Sequence, residues 1–313
     1  MTLFIRSIYT ASFLSAIYLA LLYWSDRYKR ESPVSVGLAF LAGTLSVALV
    51  TITRSLLPWI FDPAIASELL SAVYRSFVEA GLVEEVAKLA FFLVVVWQFP
   101  FEDFSEEFDG MLYMGILGAG FAVYEDFIYI FQESYPPWQS GDLIRFRQVF
   151  EFMVWGRAFP GHILFGALSG YFVGKARFRR SRGERVWLFA VGTFLAVVAH
   201  GTFNMAARAS SGWLIILVVG LTGILFFLRK DLLQTSPYTK LREWDEGTML
   251  EAWKILRDWD YSHSPEDYRQ LSQKDEGALN AGLIPLTLSV IILYPLIIGI
   301  LFYLNRALLQ LLS

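Results

Sequence analysis

An all-α, polytopic integral membrane bundle of about eight transmembrane helices is the fold this sequence predicts, on three observations. Of its 313 residues, 56% are hydrophobic and 17% aromatic, and the mean hydropathy of +0.49 is high for a water-soluble chain of this length. Residues 34–53 and 283–304 each run for about twenty positions without a charge, enough to cross a hydrocarbon core of about 30 Å. The apolar runs do not alternate, as the strands of a membrane β-barrel would.

In chain order, the apolar runs place helices at residues 8–24, 34–53, 77–97, 110–131, 158–175, 186–207, 213–228 and 283–304. The first follows Arg6 and ends Leu22-Tyr23-Trp24 with no small-x-small site, so it reads as a retained span. Lys and Arg set the orientation. Seventeen of the 26 lie in one set of connections, eight in the other, and Lys88 inside a span. The positive-inside rule puts the first set in the cytoplasm and both termini outside.

Residues 229–280 hold 19 charges in 52 positions, against 36 in the other 261, and read as a water-exposed cytoplasmic helical insert. Thr248-Met249-Leu250-Glu251 is a capping box opening one short helix, and Ser264-Pro265-Glu266-Asp267 starts another. The expected organisation is a membrane core over 1–228, the insert over 229–280, and an eighth helix with the C-terminus over 281–313. Having no cysteine, the chain lacks disulfides, iron–sulfur ligation and thiol catalysis. A formal net charge of −3 argues against a nucleic-acid partner and leaves membrane lipids as the obligatory surroundings.

Four spans carry ionisable groups where hydrocarbon should be. Glu84, Glu85 and Lys88 lie on the third, Glu125 and Asp126 on the fourth, His162 on the fifth, and His200 with Asn204 on the sixth. Facing lipid, the acids and the lysine together would cost on the order of 15 kcal/mol, so they must face one another. At about 100° per residue, Glu84, Glu85 and Lys88 share one face with the lysine between the acids, a structural ion pair in waiting. Glu79 falls almost opposite, at the helix mouth. His200 and Asn204 are i,i+4 neighbours and project together. One lysine cannot neutralise Glu84, Glu85 and Glu125. The surplus must be protonated, hold a cation, or bind and polarise water.

Such a constellation suits hydrolysis by an activated water. A carboxylate takes the water proton, and a histidine and an asparagine donate to the developing oxyanion. Serine catalysis fits less well, because Gly166-Ala167-Leu168-Ser169-Gly170 lacks the G-x-S-x-G spacing. The H-E-x-x-H signature is absent. Oxygen and imidazole ligands from Glu125, His162 and His200 would suit Zn2+ with an open water position.

The motifs E-E-x-x-K over Glu84–Lys88, F-x-x-x-E over Phe121–Glu125 with Tyr129 following, His162 after Arg157 and Pro160, and H-x-x-x-N over His200–Asn204 occur in order on successive helices. Together with Asp109-Gly110 they resemble the PrsW-type intramembrane proteases, distant relatives of the CAAX prenyl endopeptidases, over roughly residues 34–228. That resemblance implies a multi-pass membrane peptidase of the metallo- or glutamic type, acting on a single-span membrane protein such as an anti-sigma factor. On this reading Glu84 and Glu85 activate water, Glu125 and His162 position that water or a metal, and His200 with Asn204 stabilise the oxyanion. The rival readings are an ion or proton transporter using the same acids, which needs a polar path to both faces, and a non-catalytic membrane scaffold or immunity factor.

Overall fold

A computed structural model describes residues 2–26, 29–57, 67–157, 160–209, 211–239 and 294–312, with the single positions 267, 270 and 292. The helices are α1 (Thr2–Ser25), α2 (Pro33–Leu56), α3 (Glu68–Tyr74), α4 (Val83–Val94), α5 (Glu107–Gln139), α6 (Leu143–Arg157), α7 (Gly161–Arg177), α8 (Arg182–Ala209), α9 (Ser211–Thr235) and α10 (Tyr294–Leu312). A π-helical segment, Arg75–Leu82, joins α3 to α4 without a break. There is no strand among the described residues, and the chain is a helical membrane bundle.

Five helices, α1, α2, α5, α8 and α9, are long and apolar enough to cross a bilayer. The expected eight are not reproduced by this measure. α7 has 17 residues, α3 to α4 is interrupted by the π segment and carries charges, and α10 is described only from Tyr294. α6 was not anticipated, because Arg145, Arg147 and Glu151 interrupt its apolar residues. Gly141, at φ 73°, makes the turn that folds it back on α5, and Arg147 and Glu151 pair one turn apart at 2.8 Å. α9 runs through residue 228 to Thr235, so the change in composition at Arg229 is not a helix boundary. Of the two short helices expected in the insert, the first lies outside the described residues, and of the second only Asp267 and Gln270 are described, both helical.

α5 is the centre of the bundle. It is 33 residues long, about 50 Å at 1.5 Å per residue, and is buried almost continuously from Glu107 to Phe121. α1, α2 and α7 pack around it, and α8 packs on α7. Among lipid tails no hydrophobic effect draws helices together, so close backbone approach must do so. α7 supplies it with Gly166, Gly170 and Gly174, spaced four apart. A Cβ on these would lie 2.2 Å from the Met114 carbonyl oxygen, 2.5 Å from that of Gly110 and 1.9 Å from that of Glu107. Two turns before Glu125, a Cβ at Gly118 would lie 2.2 Å from the His162 carbonyl oxygen. The same contact that packs α7 onto α5 therefore sets His162 beside Glu125. On the other side Thr44 Oγ1 donates to the Gly120 carbonyl at 2.7 Å, fixing α2.

The far end of α5 is held by a second buried polar cluster. Asp109 Oδ2 accepts the amides of Ser105 (2.7 Å) and Glu106 (2.9 Å), which makes the aspartate of Asp109-Gly110 a helix cap. Lys29 Nζ donates to Glu31 Oε1 at 3.1 Å, and Tyr113 Oη donates to Glu31 Oε2 at 2.8 Å. Burial works against the charge on Lys29, but the carboxylates of Glu31 and Asp109 outweigh it and raise the lysine's pKa above its ordinary value.

Filling the α5–α7 contact should unseat the bundle. Gly170→Leu is expected to destabilise the detergent-solubilised protein by about 1–3 kcal/mol or more. Gly220→Ala on α9, where nothing lies within 4 Å of the added carbon, should leave the thermal midpoint unchanged. Equal midpoints for the two variants would show that this packing does not hold the fold.

Candidate active site

The ionisable residues of the site are brought in by several elements, each for a local reason. The π segment ends one residue before α4, and such insertions re-aim the side chains that follow them. Glu84 and Glu85 thereby point into the bundle and are buried, as is Lys88 one turn on. His162 sits in the first turn of α7, just after Pro160. His200 lies on α8 next to Gly201, where a Cβ would come 2.2 Å from the Phe77 ring, so only glycine lets α8 close on the π segment. Phe165 stacks on the His200 imidazole, with centroids 4.8 Å apart and planes at 19°.

The polar atoms form one connected chain. Lys88 Nζ bonds Glu85 Oε1 at 2.6 Å, and the same oxygen accepts from His200 Nδ1 at 2.8 Å. His200 Nε2 then faces Glu84 Oε2 at 3.7 Å. From the other side His162 Nε2 bonds Glu125 Oε2 at 2.7 Å, while its Nδ1 lies 3.9 Å from Glu84 Oε2 and 3.3 Å from Lys88 Nζ. Glu84 Oε2 is buried and has no hydrogen-bond partner, although two imidazoles face it. The other oxygen of Glu84 pairs with the Arg54 guanidinium at the end of α2.

Arg54 is the residue that sequence reasoning missed. It was counted among connection charges, whereas its long stem carries the guanidinium back into the bundle. The signal was present, a lone arginine closing an otherwise apolar span. With Arg54 included, the acids facing Lys88 have a second cation, and the surplus is smaller than the sequence count. The stretch from 84 to 88 also differs in detail from the expected face. Lys88 pairs with Glu85 and not with Glu84, which is drawn to Arg54.

A cavity of about 490 Å³ opens beside these groups, lined by Glu84, Glu125, Asp126, His162, His200 and Asn204. Glu79, Arg75 and Arg208 also line it. Glu85 and Lys88 are not among the lining residues; they stand behind His200 and His162. Asn204 lies one turn after His200 and reaches the cavity without joining the polar chain in any described contact.

The ligand atoms of Glu84, His162 and His200 all lie within 4.8 Å of one another, the one such group among the described residues. Sequence reasoning had offered Glu125 as the third ligand. Packing of α7 on α5 turns Glu125 instead onto the outer nitrogen of His162. Each histidine thus presents one nitrogen to Glu84 and gives the other to a carboxylate, Glu85 or Glu125, the arrangement that fixes tautomer and raises basicity in metal-bound imidazoles. With Glu84 Oε2 unpartnered, the donor set of one carboxylate and two imidazoles fits a divalent metal with open positions. Lys88 competes for the His162 Nδ1 lone pair and would yield it to a metal.

The family described as PrsW family intramembrane metalloprotease matches residues 31–229, a span that holds every one of these residues. Protease PrsW of Clostridioides difficile (strain 630) is 30% identical over 214 residues, 67% of this chain and 82% of that protein. Protease PrsW of Bacillus subtilis (strain 168) is 25% identical over 141 residues, 45% of this chain and 57% of that protein. Protease PrsW of Geobacillus kaustophilus (strain HTA426) is 25% identical over 195 residues, 62% and 76% respectively. No solved structure matches the chain. With a buried carboxylate–imidazole cluster inside a multi-pass helical bundle and these matches across most of its length, the chain belongs to the PrsW family of intramembrane metalloproteases and is a bacterial membrane peptidase.

Proposed function

We propose that the protein hydrolyses a peptide bond in a membrane-anchored, single-span protein, with Glu84, His162 and His200 holding a divalent metal, Zn2+ by donor chemistry. The supporting observation is the convergence of those three ligand atoms within 4.8 Å at the edge of a cavity. A metal bound there would polarise the scissile carbonyl and acidify a water. Glu125 is the carboxylate of the polar chain that lines the cavity without being a ligand, so it accepts the water proton and passes it to the leaving amine. Glu85, clamped by Lys88, keeps His200 in the tautomer whose Nε2 faces Glu84. Asn204, on the cavity wall, donates to the oxyanion. Arg54 holds Glu84 in place through its first oxygen. An anti-sigma-factor-like substrate would suit an enzyme that makes an initiating cut.

A transporter using the same acids would need a polar route to the other face. The second polar cluster, around Lys29 and Glu31, lies at the opposite end of α5, and the buried residues of that helix between Tyr113 and Phe121 are apolar or glycine.

The purified protein should carry about one zinc per chain. His162→Ala and His200→Ala should lose it, and Glu84→Gln should abolish cleavage while the protein still inserts and folds. Glu85→Gln should lower metal affinity or activity by about 10- to 100-fold. A fully active preparation with far less than one metal per chain and no sensitivity to chelators would replace the metal with glutamate alone.

By the charge count the cavity opens on the extracytoplasmic side. In this cysteine-free chain, Ala207→Cys, which lines the cavity, should react with a membrane-impermeant maleimide added outside. Labelling from the cytoplasmic side alone would invert the topology.

A further inference from the structure

A second cavity of about 520 Å³ meets the first at Arg54, Glu84, Glu125 and Tyr129. Its walls differ in character. Val47, Val50 and Thr51 of α2 face Phe121, Tyr124 and Ile128 of α5, and Phe302 of α10 closes the outer side. Val50 and Phe121, which line it, belong with Val83 and Ala87 to an apolar cluster separate from the main core. The groove is lined mainly by apolar and aromatic side chains, with Thr51 and Gln132 among them, and its charged residues, Arg54, Glu84 and Glu125, lie where it joins the first cavity.

Phe302 is held by aromatic contacts to Phe4 (5.7 Å), Phe127 (5.5 Å) and Phe131 (5.9 Å). Phe4 and Phe127 are themselves 5.2 Å apart, so the ring closing the groove rests on α1 and α5. α10 lies outside the stretch matched by the family, residues 31–229, so this wall is supplied by a part of the chain that the match does not cover.

The geometry points to the groove between α2 and α5 as the binding site for an apolar membrane-embedded segment of the substrate, with Phe302 as the residue that limits its entry and selects its bulk. This rests on the peptidase reading above and names the route by which substrate reaches it. Continuity with the catalytic cavity identifies the occupant. A segment lying in the groove leaves lipid without exposing polar backbone to it, and its end arrives beside Glu84 and Glu125, where a polar cavity can accept the unwound, water-accessible peptide bond. A soluble peptide needs only the polar cavity.

The test uses capture, which does not depend on catalysis. The full-length protein in nanodiscs, carrying Val47→Cys, is mixed with a synthetic twenty-residue Leu/Ala membrane peptide bearing one cysteine, and disulfide formation is followed. Saturable capture at position 47 is expected. Background capture only is expected at Leu49→Cys, exposed on the opposite face of the same helix. Adding Phe302→Trp should slow capture at position 47 by about tenfold, and Phe302→Ala should speed it. Capture at position 47 requires no cleavage, so failure of the catalytic reading would show in cleavage alone. Equal capture at 47 and 49, or rates indifferent to the size of residue 302, would overturn the groove assignment.

Discussion

Charge buried within an apolar helical bundle governs this structure. Glu84, Glu85, Lys88, His162 and His200 are all buried inside a bundle whose outer surface is apolar, and each is tolerable only because another stands against it. The pairing is ordered. Arg54 holds one oxygen of Glu84, Lys88 holds Glu85, and the two histidines link these pairs and Glu125 into a single chain. Each member thus contributes to the position of its neighbours as well as to the balance of charge.

The same demand explains the backbone. Long side chains could not hold imidazole and carboxylate atoms at 2.7–2.8 Å across four helices if the helices were free to slide. Glycines at 118, 166, 170 and 174 bring α5 and α7 close enough to fix their relative height, and Gly201 does the same for α8 against the π segment. The π segment supplies the change of phase that turns Glu84 and Glu85 inward together. Small residues and an irregular turn of helix are thus as much part of the site as the groups that titrate.

Two cavities of opposite character meet at Glu84 and Glu125. The polar one brings arginines, Glu79 and Asn204 to the cluster, as water chemistry requires; the apolar one faces hydrocarbon. A membrane peptidase must join these two environments, because its substrate is stable in lipid and its second reactant is water.

From the sequence alone the helical membrane class was legible, because spans of about twenty apolar residues leave few other folds. So were Glu84, Glu85, Glu125, His162 and His200 as a candidate cluster, because ionisable groups within apolar runs must be functional or paired, and Asn204 by its i,i+4 spacing to His200. The family was legible in four ordered motifs, later matched over residues 31–229. α6 was not, since its charges mask its apolar residues, nor was the continuation of α9 past residue 228. What only the tertiary structure decided was who touches whom. Periodicity reports the face of a helix and not the height or rotation of its neighbour. It therefore could not say that Arg54 reaches Glu84, that Glu84 and not Glu125 meets both histidines, or that Glu85 and Glu125 stand behind them, each on a nitrogen turned away from Glu84.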